Sequence, residues 1–283
     1  MVGIFMSYMP KKIEGASVDE LVLKGVKHII NNGERISSRA GGAIQDYGVI
    51  YVLSDPLNRV HSLRNGAMRY FARELIAYFS GSLKVEDGLA KASKFWASLA
   101  DENGNINSNY GYYVFHEKID KYTNQYNWAK CVLLKNKDTR RAIININQVR
   151  HKSDTKDFPC TVSIQFYIKD NELYCETNSR STDIITGLPY DMGFFSFVHE
   201  LMWKDLIENG LEDLKLGPTI MKTTFTQIYD KTINKAYEIL NNECNDLNVI
   251  NMPSVISAQD TLNDIMSGSS KTDVVKWIYK YAE

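Results

Sequence analysis

Residues 179–191 read SRSTDIITGLPYD, and the elements on either side of this stretch define the class of fold. Upstream lie two runs rich in β-branched and aromatic residues, 161–169 and 172–177. The link Lys169-Asp170-Asn171 between them predicts a hairpin. Downstream, residues 194–209 are too apolar for a surface helix and predict a buried one. A strand over 220–226 and a helix over 231–242 follow. Nearer the N-terminus, residues 17–31 predict a helix, with Ser17 as cap and Val18, Leu21, Val22, Val26 and Ile29 on one face. A strand over 43–53 is entered through Gly41 and Gly42. Helices are expected over 64–79 and 85–99, punctuated by Gly81, then a polar loop over 100–113. A helix over 122–136 and a strand over 142–148 complete the middle. Helices mixed with non-alternating strands indicate a single α+β domain. Residues 1–245 form the expected main domain. Residues 246–283 read as an extension of uncertain structure, with a short helix over 274–281.

Composition narrows the function. The 283 residues carry a net charge of −1, with 44% hydrophobic and 24% charged side chains. These are the proportions of a soluble globular protein, with no bulk electrostatic case for binding nucleic acid or membranes. Cys131, Cys160, Cys175 and Cys244 are widely spaced and form no CxxC pair, which disfavours a disulfide framework or a cysteine metal site. The apolar residues 1–9 precede lysines instead of following them, the wrong polarity for a secretory signal. A reducing, cytoplasmic setting is the default expectation.

A lone cysteine is usually a small buried hydrophobe. Cys160 keeps more informative company. Upstream stand Glu74 in RELIAYFSG (73–81), Trp96, ADENGNINSNYG (100–111) with Tyr110, and the Asp138-Thr139-Arg140-Arg141 segment. Downstream come Arg180, Ser181 and Asp183, then Gly187-Leu188-Pro189-Tyr190-Asp191. In order and spacing these residues resemble thymidylate synthase over about residues 20–240. SRSTDIITGLPYD looks like that family's arginine-serine-x-aspartate and glycine-x-proline pattern. NINSNYG and the threonine after Cys160 look closer to its deoxycytidylate hydroxymethylase branch.

The resemblance implies a central mixed sheet flanked by helices, with a sheet face used for dimerisation. It implies a pyrimidine nucleoside monophosphate as substrate and methylenetetrahydrofolate as co-substrate, with no metal. Cys160 is then the nucleophile: a thiolate added to carbon 6 of the ring makes carbon 5 reactive towards a one-carbon electrophile. Nearby arginine charge is expected to lower its pKa. Arg180 would hold the nucleotide phosphate with Arg39 of the loop SSRAGG (37–42), one residue short of the family spacing. Arg140 and Arg141 would reach the site of a neighbouring subunit in a homodimer. Glu74 and Tyr110 would order water and relay protons. Trp96, Asp183 and Gly187 would line the folate side, although Asp183 alone equally suits a turn cap.

Asp191 replaces the asparagine of the synthases. Cytosine presents an acceptor ring nitrogen and a donor amine. A carboxyl group matches both, donating when protonated and accepting from the amine. Asp191 otherwise suits a helix cap. Gln227-Ile228-Tyr229 takes the place of a His-x-Tyr pair that holds the sugar, which leaves deoxyribose and ribose both open. Leu99 in place of a tryptophan, and the absence of the synthase-type C-terminal ending, lean towards a hydroxymethyl product. Such products serve phage DNA modification, in which case the setting is the host cytoplasm.

Overall fold

The computed structural model describes residues 9–38, 40–241 and 251–283. Arg39, expected at the phosphate, lies outside them. Among the described residues seven strands form one mixed sheet: β1 (Lys11–Gly15), β2 (Glu34–Ser38), β3 (Gly41–Leu53), β4 (Ile143–Asn145), β5 (Thr161–Lys169), β6 (Glu172–Asp183) and β7 (Lys215–Tyr229). The order is β1-β3-β7-β6-β5-β4, and β2 pairs with the other end of the β3 edge that β1 occupies. Pairing is parallel for β1 with β3 and for β6 with β7, and antiparallel elsewhere. The expected hairpin joins β5 to β6. Asp170 and Asn171 both take positive φ, 53° and 61°, the handedness a tight hairpin turn requires.

The helices are α1 (Val18–Asn32), α2 (Ala67–Ser80), α3 (Gln125–Lys135), α4 (Leu188–Glu208), α5 (Ile233–Asn241), α6 (Ala258–Met266) and α7 (Asp273–Ala282). Ser17 caps α1 by accepting from Glu20 N at 3.1 Å. The long α4 is buried on nearly every side and divides two cores. Leu188 and Met192 pack with α1, α5, β3 and β7. Tyr190, Phe194, Val198 and Leu201 pack with α2, α3 and the C-terminal helices. Along β6, Leu173, Cys175, Thr177 and Ser179 are buried in alternation, the period of a half-covered strand.

Three expectations need correction. No long helix covers 85–99; short 3₁₀ turns form at Leu89–Lys91 and Trp96–Leu99. The segment folds back on itself, with Val85 N donating to Gly104 O and Ile106 N to Leu83 O. The strand expected over 142–148 shortens to β4, because Ile146 N and Asn147 N both turn to Val162 O and end the ladder. The tail holds α6 as well as α7. Ser257 caps α6 by accepting from Asp260 N. Met252, Val255, Leu262, Val275 and Ile278 enter the larger core. Arg73 of α2 donates to Ala282 O at 2.6 Å and to Glu283 O at 3.1 Å.

Candidate active site

The site gathers where β5, β6 and β7 meet the first turn of α4 and one face of α2. Cys160 immediately precedes β5 and accepts from Arg180 N through its carbonyl at 2.9 Å, so the β5–β6 ladder places it. It is partly buried. Tyr110 is buried, with its ring stacked on Tyr78 (5.5 Å) and Phe195 (6.0 Å), and Thr161 hydrogen-bonds its hydroxyl. Gly111 permits this approach, since a Cβ there would lie 1.9 Å from Tyr78 O.

One contact holds the two loops together. The Asp157 carboxylate accepts from Asn107 N at 2.6 Å, Ser108 N at 2.8 Å and Ser108 Oγ at 2.5 Å. Asn107 Nδ2 returns to Asp157 O at 2.8 Å. The polar part of NINSNYG is thus tied to the loop that ends in Cys160. Nothing in the sequence singled out Asp157, because it closes a polar run, 152–157, that reads as solvated loop.

Cys160 corrects an expectation about its charge. Its thiol is pushed up to about 11, chiefly by burial. Arg180 acts in the expected lowering direction, and Asp191 and Asp157 oppose it. Arg180 is also turned towards the chain itself: it donates to Pro159 O at 3.1 Å and Phe158 O at 2.6 Å and lies 5.1 Å from the Phe158 ring.

Two carboxyl groups face each other electrostatically from α2 and α4. Glu74 is 4% exposed, and burial pushes its pKa up to about 7 against the hydrogen bonds of Tyr70 and Tyr78. These tyrosines stand one turn before and one turn after Glu74, on the same stripe of α2. Asp191 is held well above the usual carboxylate range by burial and then by the charge of Glu74. Asp191 sits inside the first turn of α4. Gly187, not Asp191, occupies the cap position.

Asp183 divides its two oxygens between roles. Oδ1 accepts from Ile185 N at 2.7 Å and Thr186 N at 2.8 Å, capping the turn into α4. Oδ2 is buried without a partner, as is Thr182 Oγ1 beside it. A side chain at Gly187 would press on both residues, with its Cβ 2.9 Å from Asp183 O and 3.0 Å from Thr182 Oγ1. Trp96 closes the same side, donating from Nε1 to Tyr70 Oη at 3.0 Å. Arg64, which sequence reasoning also missed, donates to the Tyr190 hydroxyl and has a buried, unpartnered Nε. These orphaned groups and the half-buried indole suit a planar, hydrogen-bonding co-substrate.

Across from them, Ser181 and Gln227 project from β6 and β7, with Gln227 Nε2 donating to Ser181 Oγ at 3.0 Å. Gln227 Nε2 also meets the Tyr229 hydroxyl at 3.4 Å. Arg140 and Arg141 are not part of this cluster. Arg140 O accepts from Gln165 Nε2 on β5; Gln165 is five residues beyond Cys160, about 16 Å at strand spacing. Both arginines are exposed; Arg141 lies 5.1 Å from the Trp128 ring, and Arg140 lines an open cleft with Lys137, Gln165 and Tyr167. Among the described residues no three His, Cys, Asp or Glu side chains could hold a metal ion together, and no helix is long and apolar enough to cross a membrane.

The sequence model of the thymidylate synthase family matches residues 22–269. The deoxycytidylate 5-hydroxymethyltransferases of Enterobacteria phages T4 and T2 are each 31% identical to the chain over 168 residues, 57% of this chain and 67% of theirs. That of phage T6 is 34% identical over the same shares. The chain therefore belongs to the thymidylate synthase family, the one-carbon transferases that use a folate to modify carbon 5 of a pyrimidine nucleotide.

Proposed function

We propose that the protein transfers a one-carbon unit from methylenetetrahydrofolate to carbon 5 of dCMP, giving 5-hydroxymethyl-dCMP and tetrahydrofolate with the uptake of one water. The observation that carries this reading is Asp191, which stands in the first turn of α4 in place of the asparagine of the synthases, with burial and the charge of Glu74 raising its pKa. A protonated carboxyl donates to the cytosine ring nitrogen while its second oxygen accepts from the exocyclic amine. Uracil presents a ring N–H where that donor points, so it leaves buried polar groups unpaired. The names of the three phage relatives agree with this choice of base.

Cys160 loses its proton and its sulfur bonds to carbon 6, which delivers the electron pair to carbon 5. Arg180 is the positive group beside it that favours the thiolate and serves the phosphate. Ser181, Gln227 and Tyr229 hold the sugar side. Tyr110 and Glu74 order water and move the proton that carbon 5 gives up. Asp183 Oδ2, Trp96 and Gly187 form the wall for the folate, which supplies the one-carbon electrophile. The protein acts as a homodimer in which a sheet face is the contact and Arg140 and Arg141 reach the neighbouring site. Host cytoplasm and a role in phage DNA modification complete the reading.

The test is tritium release from carbon-5-labelled dCMP, CMP and dUMP with methylenetetrahydrofolate, with the product identified by mass. Release from dCMP with a hydroxymethyl product is expected, and Asp191→Asn should transfer activity towards dUMP. Release from CMP in preference would move the sugar to ribose, which Gln227 would then explain. Release mainly from dUMP with dihydrofolate formed would overturn the assignment of Asp191.

A further inference from the structure

Tyr70 has no role in the chemistry described so far, yet it joins two residues that do. Its hydroxyl donates to Glu74 Oε1 at 2.7 Å and accepts from Trp96 Nε1 at 3.0 Å. An indole N–H can only donate, so the direction of the chain is set from Trp96 through Tyr70 to the Glu74 carboxylate. The ring is fixed as well, with its centroid 4.4 Å from that of Tyr190, whose hydroxyl Arg64 engages. We infer that Tyr70 is a positioning residue that couples the indole wall at Trp96 to the Glu74 carboxyl, so that a planar ligand seated on the indole is sensed at Glu74. This rests on the assignment of Trp96 to the folate side and of Glu74 to proton transfer.

The physical basis is the polarisation of one hydrogen bond by the next. An oxygen that already accepts a hydrogen bond donates its own proton more strongly. Donation to a carboxylate favours its ionised form. Removing the Tyr70 hydroxyl therefore strengthens proton binding at Glu74; removing the indole N–H does so more weakly. The groups that face Glu74 are Tyr70 and Tyr78 from its own helix and Asp191 and Tyr190 from α4. Arg64, ahead of α2, is engaged by Tyr190. Of these only Asp191 is another carboxyl. The charge of Glu74 holds the Asp191 proton more tightly.

The experiment uses the full chain without substrates, labelled with carbon-13 at the glutamate side-chain carboxyl, its Glu74 resonance assigned by its loss in Glu74→Gln. Tyr70→Phe is expected to raise the Glu74 titration midpoint by about half to one pH unit, a roughly three- to tenfold tighter proton. Trp96→Phe is expected to raise it by less. An unchanged midpoint in Tyr70→Phe would overturn the coupling, and so would a shift there with none in Trp96→Phe. In turnover, Tyr70→Phe should lower kcat about tenfold, leave the nucleotide KM within about twofold, and move the acid limb of the pH profile upward. Wild-type protein inactive on every pyrimidine nucleotide would sink the functional reading and leave the carboxyl titration to decide the coupling.

Discussion

Asp157 and Ser108, 49 residues apart in sequence, are joined twice: the Asp157 carboxylate accepts from Ser108 Oγ at 2.5 Å and from Ser108 N at 2.8 Å. The pair ties the loop that carries Tyr110 to the loop that carries Cys160. Asp157→Ala strands buried donors at Asn107 and Ser108, at a cost of about 2–4 kcal/mol, and lets both loops drift. A tenfold or larger fall in activity is expected, read together with a lowered Tm.

Asp157→Asn separates charge from geometry. The amide keeps an acceptor for the backbone N–H groups while removing one of the two negative charges that oppose the Cys160 thiolate. The thiol should titrate below its present value of about 11. At pH 8 its alkylation by iodoacetamide should then be several-fold faster than in the wild type. A slower reaction would mean that the carboxylate serves the thiolate in some other way.

Glu74 gives a pH dependence of stability with a definite sign. Its folded pKa of about 7 lies above the ordinary 4.5. The buried acid is therefore tolerated below about pH 4.5, and stability is lost as pH rises from there to about 7, where the folded protein ionises it. Glu74→Gln should thus be close to neutral at pH 5 and stabilising by roughly 1–3 kcal/mol at pH 8.5, while activity is lost. Denaturant melts at the two pH values measure this directly.

Arg59 and Glu200 form a buried ion pair at 2.6 Å, and Glu200 Oε1 also accepts from Val255 N at 2.8 Å. Glu200→Ala leaves a guanidinium buried beside the Phe197 ring with one nitrogen already unpartnered. A loss of about 3–5 kcal/mol is expected, because the guanidinium is left buried without its counter-charge. Limited proteolysis should then cut more quickly within residues 251–283, whose entry into the core Glu200 anchors. The double variant Arg59→Met/Glu200→Leu should recover part of the loss.

Gly111→Ala tests the close packing of the Tyr110 loop on α2. The added Cβ would meet Tyr78 O at 1.9 Å, and neither backbone can yield without moving the other. Destabilisation of at least about 1–3 kcal/mol is expected. Activity should fall further than stability explains, since Tyr78 holds Glu74 and Tyr110 stacks on Tyr78.

Local pattern by itself determined much of this protein. The cap at Ser17, the two-residue turn at Asp170-Asn171, the strand over 161–169 and the buried character of α4 all depend on neighbours in sequence. Order and spacing around Cys160 were enough to point to the family, and Asp191 in place of asparagine is what the proposed choice of base starts from. Tertiary structure alone decided the electrostatics. Nearby arginine charge suggested an activated thiol, but burial pushes it the opposite way, joined by Asp191 from α4 and by Asp157 of its own loop. The pairing of Glu74 with Asp191, the Asp157 tie and the Tyr70 bridge share that origin. Each depends on the distance between groups from separate segments and on the water they lose on meeting, and neither quantity is encoded in local spacing.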